Sequence, residues 1–258
     1  MGYSLNNKVA IITGGGSGIG KSIAELFAEK KARVYILEID KKRGLAVQNE
    51  ILKNNNFGQF YHCDVSDETS IKAAVNSVLD AEKRIDILVN NAGISHIGTI
   101  EQTTSSDLDR VYNANVKSVY LTTKHVIGAM VKNGGGTILN LASILAKVGV
   151  DERFAYSMSK GAVLAMTLSI AKDYIGQNIR CNCICPARVH TPFVDDYLKK
   201  NYAGKEKEVF DKLSTFQPIG RMGQPDEIAQ LALFLCSDAS SFITAVAYDI
   251  DGGVVNLR

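Results

Sequence analysis

What most constrains this chain is an alternation of two periodicities that runs along its whole length. Apolar, β-rich runs stand at Val9–Thr13, Arg33–Leu37, Gln59–Cys63, Ile85–Asn90, Gly136–Leu141, Ile179–Cys185 and Ala245–Ile250. Between them lie segments with helical spacing of apolar residues, such as Ile19–Lys30, Ile71–Ala81, Asp107–Val131, Tyr156–Tyr174 and Pro225–Cys236. Short runs that are apolar throughout suit strands buried on both faces, as in a parallel sheet. Strands alternating with helices build βαβ units, whose right-handed crossovers cover both faces of the sheet. The pattern predicts an α/β fold with a doubly wound parallel sheet of about seven strands. At 258 residues, 46% of them hydrophobic, one large domain over residues 1–258 accounts for the length. Pro186, Pro192, Pro218 and Pro225 all fall in the last third, where the alternation breaks down. Long irregular stretches in compact domains tend to bind things, so a substrate lid is expected near residues 187–224.

Charge and composition exclude several classes. The net charge is +2 and the charged residues are interspersed, without the concentrated basic face of a nucleic-acid binder. The densest basic cluster, Lys41-Lys42-Arg43, reads as a solvated turn after a strand. No apolar run reaches the ~20 residues needed to cross a bilayer, so no membrane span is expected. The N-terminal residues lack a basic-then-apolar signal pattern, which points to a cytoplasmic location. Gly2 does not qualify for myristoylation, because Asn6 stands where Ser or Thr is required. Among the five cysteines, Cys181, Cys183 and Cys185 alternate inside an apolar run. Alternate positions on a strand share one face, so they read as buried thiols; no metal is expected.

The first strand runs into Thr13-Gly14-Gly15-Gly16-Ser17-Gly18-Ile19-Gly20 and then a helix. Strand, glycine turn and helix start are the context of a Rossmann-like dinucleotide site. Glycines let the backbone approach a pyrophosphate, and the helix start offers free N–H donors and partial positive charge. Gly14, Ser17, Gly18 and Ile19 are the candidate cradle. Glu38 ends the second strand about 20 residues on, where an acid accepts hydrogen bonds from ribose hydroxyls. Such a carboxylate repels a 2′-phosphate and favours NAD, and no Lys or Arg within the loop offsets it. Asp40 is the rival acid.

Tyr156 and Lys160 stand four residues apart on an expected helix, hence on one face. A free phenol titrates near 10, too high for a base at neutral pH, and a neighbouring ammonium lowers that value. The pair is a candidate acid/base unit.

These motifs, with Asp64-Val65, Asn90-Asn91-Ala92-Gly93, Asn115-Val116, Ser143, Pro186-x-x-Val189-x-Thr191 and Asp251-Gly252-Gly253, resemble the short-chain dehydrogenase/reductase family over essentially the whole chain. The resemblance implies an NAD-dependent enzyme that interconverts a secondary alcohol and a ketone. It implies that Ser143 polarises the substrate oxygen, Tyr156 exchanges the proton, and Lys160 binds the nicotinamide ribose and acidifies the tyrosine. Asn115 would hold a relay water. Asp64 and Val65 would contact adenine, Asn91 and Gly93 the adenosine ribose side, and Val189 and Thr191 the carboxamide. A homotetramer is implied as well. Ala187 departs from the glycine common after that proline, and Gly15-Gly16 make the loop unusually rich in glycine.

Arg153, three residues before Tyr156, and Arg188, in the loop after the sixth strand, are candidate substrate residues. Guanidinium forks pair with carboxylates, so a small hydroxy acid or sugar acid is the expected substrate. His96 and His190 are further candidates, while Tyr197, Tyr202 and Phe210 are expected to pack the lid. Two other readings share these residues. One is a dehydrogenase of a neutral sugar, steroid or acyl thioester, with both arginines facing away. The other is a non-catalytic dinucleotide-binding protein, which has no use for the full Ser143, Tyr156, Lys160 and Asn115 set.

Overall fold

Seven strands form one sheet: β1 (Val9–Thr13), β2 (Arg33–Glu38), β3 (Gly58–His62), β4 (Ile87–Asn90), β5 (Gly136–Leu141), β6 (Ile179–Pro186) and β7 (Ala247–Ile250). The computed structural model describes residues 3–257, and Gly2 lies outside them. The strand order is β3-β2-β1-β4-β5-β6-β7, and every neighbouring pair is parallel. This is the doubly wound Rossmann-like architecture expected.

The helices among the described residues are α1 (Gly18–Glu29), α2 (Lys41–Lys53), α3 (Glu68–Glu82), α4 (Ser105–Tyr112), α5 (Ser118–Lys132), α6 (Phe154–Tyr174), α7 (Pro192–Asn201), α8 (Glu206–Ser214), α9 (Pro225–Cys236) and the short α10 (Val254–Leu257), besides 3-10 and π turns. Strand β1 shows why both faces are apolar. Ala10 and Ile12 join a core with Ile23 and Phe27 of α1 and Leu233 of α9. Val9 and Ile11 join the opposite core with Ile71 and Val78 of α3 and Val126 of α5. Cys181 and Cys183 of β6, with Cys185, are all fully buried free thiols on the α5–α6 side, while Ile184 turns to the α1–α9 side. Among the described residues, no group of three or more His, Cys, Asp or Glu side chains is placed to hold a metal ion. Among them, too, no helix is long and apolar enough to cross a membrane.

Three expectations change in detail. Lys41-Lys42-Arg43 is not a turn but the first turn of α2, because the Asp40 side chain caps that helix by accepting the Arg43 N–H at 3.1 Å. The segment expected over Asp107–Val131 as one helix is divided by a π-helical turn at Asn113–Lys117. The stretch after β6 contains two helices, α7 and α8, with Pro192 at the start of α7 where its fixed φ suits the first turn.

Strand β1 pairs with β2 on one side and β4 on the other, so the chain direction of winding reverses between β1 and β4. The loops leaving the carboxyl ends of these two strands diverge, and the crevice between them is the natural ligand site of such sheets. The loop after β1 and the first turn of α1 carry Gly14–Gly20, and the loop after β4 carries Asn91–Gly93.

Candidate active site

The glycine loop turns tightly because Gly14 has φ 63° and its N–H bonds to Leu37 O at 2.8 Å. It also packs against the start of α1, where a Cβ on Gly20 would stand 2.2 Å from Gly14 O. Ser17 occupies the N-cap of α1 but its side chain caps nothing, and the first turn carries no acid. The N–H groups of that turn therefore lack a side-chain acceptor, as an anion site requires. Asn91 performs a clamp that the sequence does not announce. Its side-chain amide donates to Thr13 O at 3.1 Å and Gly14 O at 3.0 Å. The Thr13 hydroxyl accepts the N–H groups of Asn91 and Ala92 at 3.0 and 3.1 Å. Thr13 and Asn91 thus bolt the two crevice loops together.

Of the two rival acids, Glu38 is the one that reaches the loop: its Oε2 accepts the Gly16 N–H at 3.0 Å. Asp40 instead serves α2. Asp64 lies just beyond β3, with Oδ1 accepting from the Ser66 N–H at 2.8 Å and hydroxyl at 2.7 Å. Val65 packs onto the α3–α5 core.

The catalytic candidates come from three elements. Ser143 follows β5 and is buried, with its hydroxyl 3.4 Å from Pro186 O and accepting the Leu145 N–H at 3.2 Å. Tyr156 and Lys160 stand on one face of α6, with Lys160 Nζ 5.6 Å from the centre of the Tyr156 ring. Helix α6 comes close to the sheet because Ala155, Ser159, Val163, Thr167 and Ala171 form a buried row of small residues at i+4 spacing. Lys160 Nζ donates to Leu141 O at 2.7 Å. Asn115 sits in the π turn, its Oδ1 accepting the Ile94 N–H at 2.7 Å and its Nδ2 donating to Ile94 O at 2.9 Å and Ser159 Oγ at 3.0 Å. A Cβ on Gly93 would stand 3.1 Å from Asn115 Oδ1 and 3.7 Å from Lys160 Nζ, so bare backbone there leaves room over both.

The electrostatics differ from the expectation of an acidified phenol. Burial pushes Tyr156 up to about 12, with Ser143 and Arg153 only partly opposing it. Burial also pulls Lys160 down to about 8. Removal from water disfavours the charged form of each group, and for the phenol it outweighs the lowering by the Ser143 hydrogen bond and the Arg153 charge.

A cavity of about 560 Å³ opens beside these groups and is lined by Ser143, Tyr156, Lys160, Arg153, Arg188 and Tyr197. Ile19, Asn91, Gly93, Val189 and Thr191 also reach it, which joins it to the crevice. Thr191 Cγ2 would stand 3.2 Å from a Cβ on Gly18. Val189 bridges Gly223: His190 N–H donates to Gly223 O at 2.8 Å and Gly223 N–H to Arg188 O at 3.0 Å. The guanidinium of Arg188 lies 5.0 Å from the centre of the Phe216 ring. Arg153 donates from Nη1 to Glu152 O at 2.9 Å. His96 lines the cavity, whereas His190 does not; its Nε2 lies 2.9 Å from Asp195 Oδ1 and its ring stands edge-on to Phe210. Tyr197, expected first as lid packing and second as an apolar substrate contact, is a cavity residue as well as a partner of Tyr202.

A switch-point crevice with a glycine cradle, leading to buried Ser143 and Lys160 with the half-buried Tyr156 between them and the cavity, defines a dinucleotide oxidoreductase fold and site. The family model described as enoyl-(acyl carrier protein) reductase matches residues 14–255. The chain belongs to the short-chain dehydrogenase/reductase family. A 2-keto-3-deoxy-L-fuconate dehydrogenase of Xanthomonas campestris is 35% identical over 98% of this chain and 81% of its own length. A 3-oxoacyl-[acyl-carrier-protein] reductase of Thermotoga maritima is 37% identical over 97% of this chain and 99% of its own. The L-sorbose reductase of Gluconobacter frateurii, solved with NADPH and L-sorbose, superposes with a TM-score of 0.95 at 30% identity over 99% of each chain. This chain is an oxidoreductase of that family, acting on secondary alcohols or ketones with a nicotinamide dinucleotide.

Proposed function

We propose that this chain is an NAD-dependent dehydrogenase of a small hydroxy acid or sugar acid. The observation that carries the reading is that Arg153 and Arg188 line the same cavity as Ser143 and Tyr156. A guanidinium fork holds a carboxylate in a fixed plane, which fixes the neighbouring carbinol carbon against the reacting groups. The dehydrogenase of a keto-deoxy sugar acid among its relatives agrees with that chemistry. The glycine cradle, the uncapped start of α1 and the open backbone at Gly93 fit a dinucleotide. Bound there, it would supply the carrier of the hydride. Glu38 favours NAD because its carboxylate stands at the loop where a 2′-phosphate would lie.

In this reading Ser143 donates to the substrate oxygen and Tyr156 exchanges its proton with it. Lys160 and Asn115 lie behind Tyr156, where they pass that proton to solvent and steady the phenol. Asp64 and Val65 flank the adenine, and Val189 and Thr191 bound the carboxamide end. The segment from residue 190 to 222, closed at its base by the Val189–Gly223 bridge, acts as the lid. The exposed apolar residues Phe154, Met158 and Leu168 of α6 and Tyr120 of α5 provide the surface for a homotetramer.

The test is a panel of hydroxy acids, sugar acids, neutral sugars and acyl thioesters assayed with NAD and NADP, on the wild type and on Arg153→Ala. The proposal expects Arg153→Ala to raise KM for acids about tenfold or more, the worth of one charge-assisted contact, and to spare neutral alcohols. Activity on neutral sugars or thioesters alone would assign both arginines to structure.

A further inference from the structure

We infer that the substrate of this enzyme is a hydroxy acid carrying an alkyl chain beyond its carbinol carbon, in preference to a polyhydroxy sugar acid. This deepens the proposed function and rests on its reading of Arg153 and Arg188 as the receptors of a carboxylate. Beyond those arginines and the catalytic groups, the cavity draws its walls from three segments. Ile97 comes from the loop after β4, Leu145 and Val150 from the loop after β5, and Val194, Leu213 and Phe216 from the 190–222 segment. All six are aliphatic or aromatic. Val194 and Tyr197 stand three residues apart on α7, and Leu213 and Phe216 are equally spaced at the end of α8, so each pair turns one face toward the cavity.

Folding does not account for these side chains. Among the described residues, none of the six joins the three buried apolar clusters that hold the sheet and its helices together. Leu145, Val150, Val194, Leu213 and Phe216 are half-buried, and Ile97 is 44% exposed. Apolar surface gathered in a concave site and left outside the core is surface for a ligand to cover. Two contacts fix where this wall lies. Leu145 is held beside Ser143, whose hydroxyl accepts its N–H at 3.2 Å. Ile97 is held beside Arg153, because Gly98 N–H donates to Glu152 O at 2.9 Å and Phe154 N–H to Gly98 O at 3.3 Å. A chain attached to the carbinol carbon therefore meets apolar side chains directly.

A sugar acid asks for the opposite. Each hydroxyl that loses water on binding needs a partner in the site, and neighbouring hydroxyls suit the forks of carboxylates and carboxamides. Among the described residues, no Asp, Glu or Gln lines the cavity. The polar side chains that do are largely engaged with the protein. Asn91 spends its amide on Thr13 O and Gly14 O. His96 has Nε2 3.3 Å from Thr103 Oγ1 and Nδ1 3.8 Å from Asp107 Oδ1. The Tyr197 hydroxyl lies 3.3 Å from that of Tyr202. Ser95 and, at the crevice end, Thr191 add one hydroxyl each, too few for the several that a sugar acid carries.

The experiment measures kcat/KM, with NAD and with NADP, for the straight-chain 2-hydroxy and 3-hydroxy acids from butanoic to octanoic acid beside pentonic and hexonic sugar acids, on the wild type and on Leu213→Asn. In one series or both, kcat/KM of the wild type rises about three- to fourfold with each methylene, and the best hydroxy acid exceeds every sugar acid about tenfold or more. Unreactive alkanoic acids of the same lengths inhibit, and Ki falls by the same factor per methylene, which reads the wall without turnover. Leu213→Asn flattens both slopes. Flat or falling series overturn the inference, and so does a sugar acid that matches the best hydroxy acid; either result leaves the carboxylate reading standing. Slopes that survive Leu213→Asn unchanged put the chain elsewhere and overturn the role of this wall. Failure of every acid to turn over or to inhibit defeats the carboxylate reading itself, and the inference with it.

Discussion

At the residue scale, the acid/base pair shows how far burial governs a site before its ligands arrive. Tyr156 is held up at about 12 and Lys160 down at about 8, both by loss of water. A protonated phenol donates to a ketone, whereas oxidation of an alcohol needs a proton acceptor. Alcohol oxidation is therefore predicted to accelerate as pH rises through about 8, where Lys160 loses its proton, while ketone reduction does not; rate–pH profiles in both directions check this. Stability follows the same logic. The unfolded chain holds the Lys160 proton up to about 10.5 and the folded one to about 8, so stability climbs between these values. Below pH 8 the buried ammonium imposes its full cost. Lys160→Met is predicted to raise Tm at pH 7 and to abolish turnover, and the gain in Tm should shrink at pH 10; calorimetry at the two pH values measures it. The spacing of Tyr156 and Lys160 was legible in the sequence. The dominance of burial was not, because nothing local says that Leu141 O receives the lysine or that Ile94 and Ser159 hold Asn115.

At the element scale, the strands and the glycine loop were legible because their signals are local: unbroken apolar runs, and glycines before a helix. The β6 cysteines are the clearest case, since alternate spacing placed all three thiols on one face. The first turn of α2 was not legible, because three cations at a helix start run against the dipole and only the Asp40 cap resolves the conflict. The Asn91 clamp was hidden for another reason, as its acceptors lie 77 and 78 residues away. Two predictions belong here. Gly20→Ala puts a methyl 2.2 Å from Gly14 O, so it should lower NADH affinity about tenfold or more, read by fluorescence titration, because the cradle must open. Glu227 accepts the Gln224 N–H at 2.7 Å and forms a two-pronged pair with Arg221, which ties the end of the 190–222 segment to α9. Glu227→Ala should speed amide exchange within that segment and leave the β-sheet amides protected.

At the scale of the whole molecule, the site exists because the winding reverses between β1 and β4 and because α6 lies close against the sheet. The fold class followed from the alternation of periodicities, and the crevice followed from the fold class. The lining of the cavity followed only in part: Arg153 and Arg188 were candidates from their place in the sequence, whereas Tyr197 was expected first as packing. Arg153 begins α6 and Arg188 follows β6, and only the closed base at Val189 and Gly223 brings both to one cavity with Tyr197. Leu168 is 45% accessible on α6, and if the proposed tetramer forms through this face, Leu168→Glu lowers the sedimentation coefficient relative to the wild type. The central claim, that Tyr156 moves the proton while a bound dinucleotide carries the hydride, is tested most directly by Tyr156→Phe. Steady-state turnover and NADH binding are to be measured on the same preparation with any hydroxy acid the wild type oxidises. The account predicts unchanged NADH affinity and a loss of turnover of about a thousandfold, the usual worth of a positioned proton donor. Turnover within about tenfold of the wild type would contradict it.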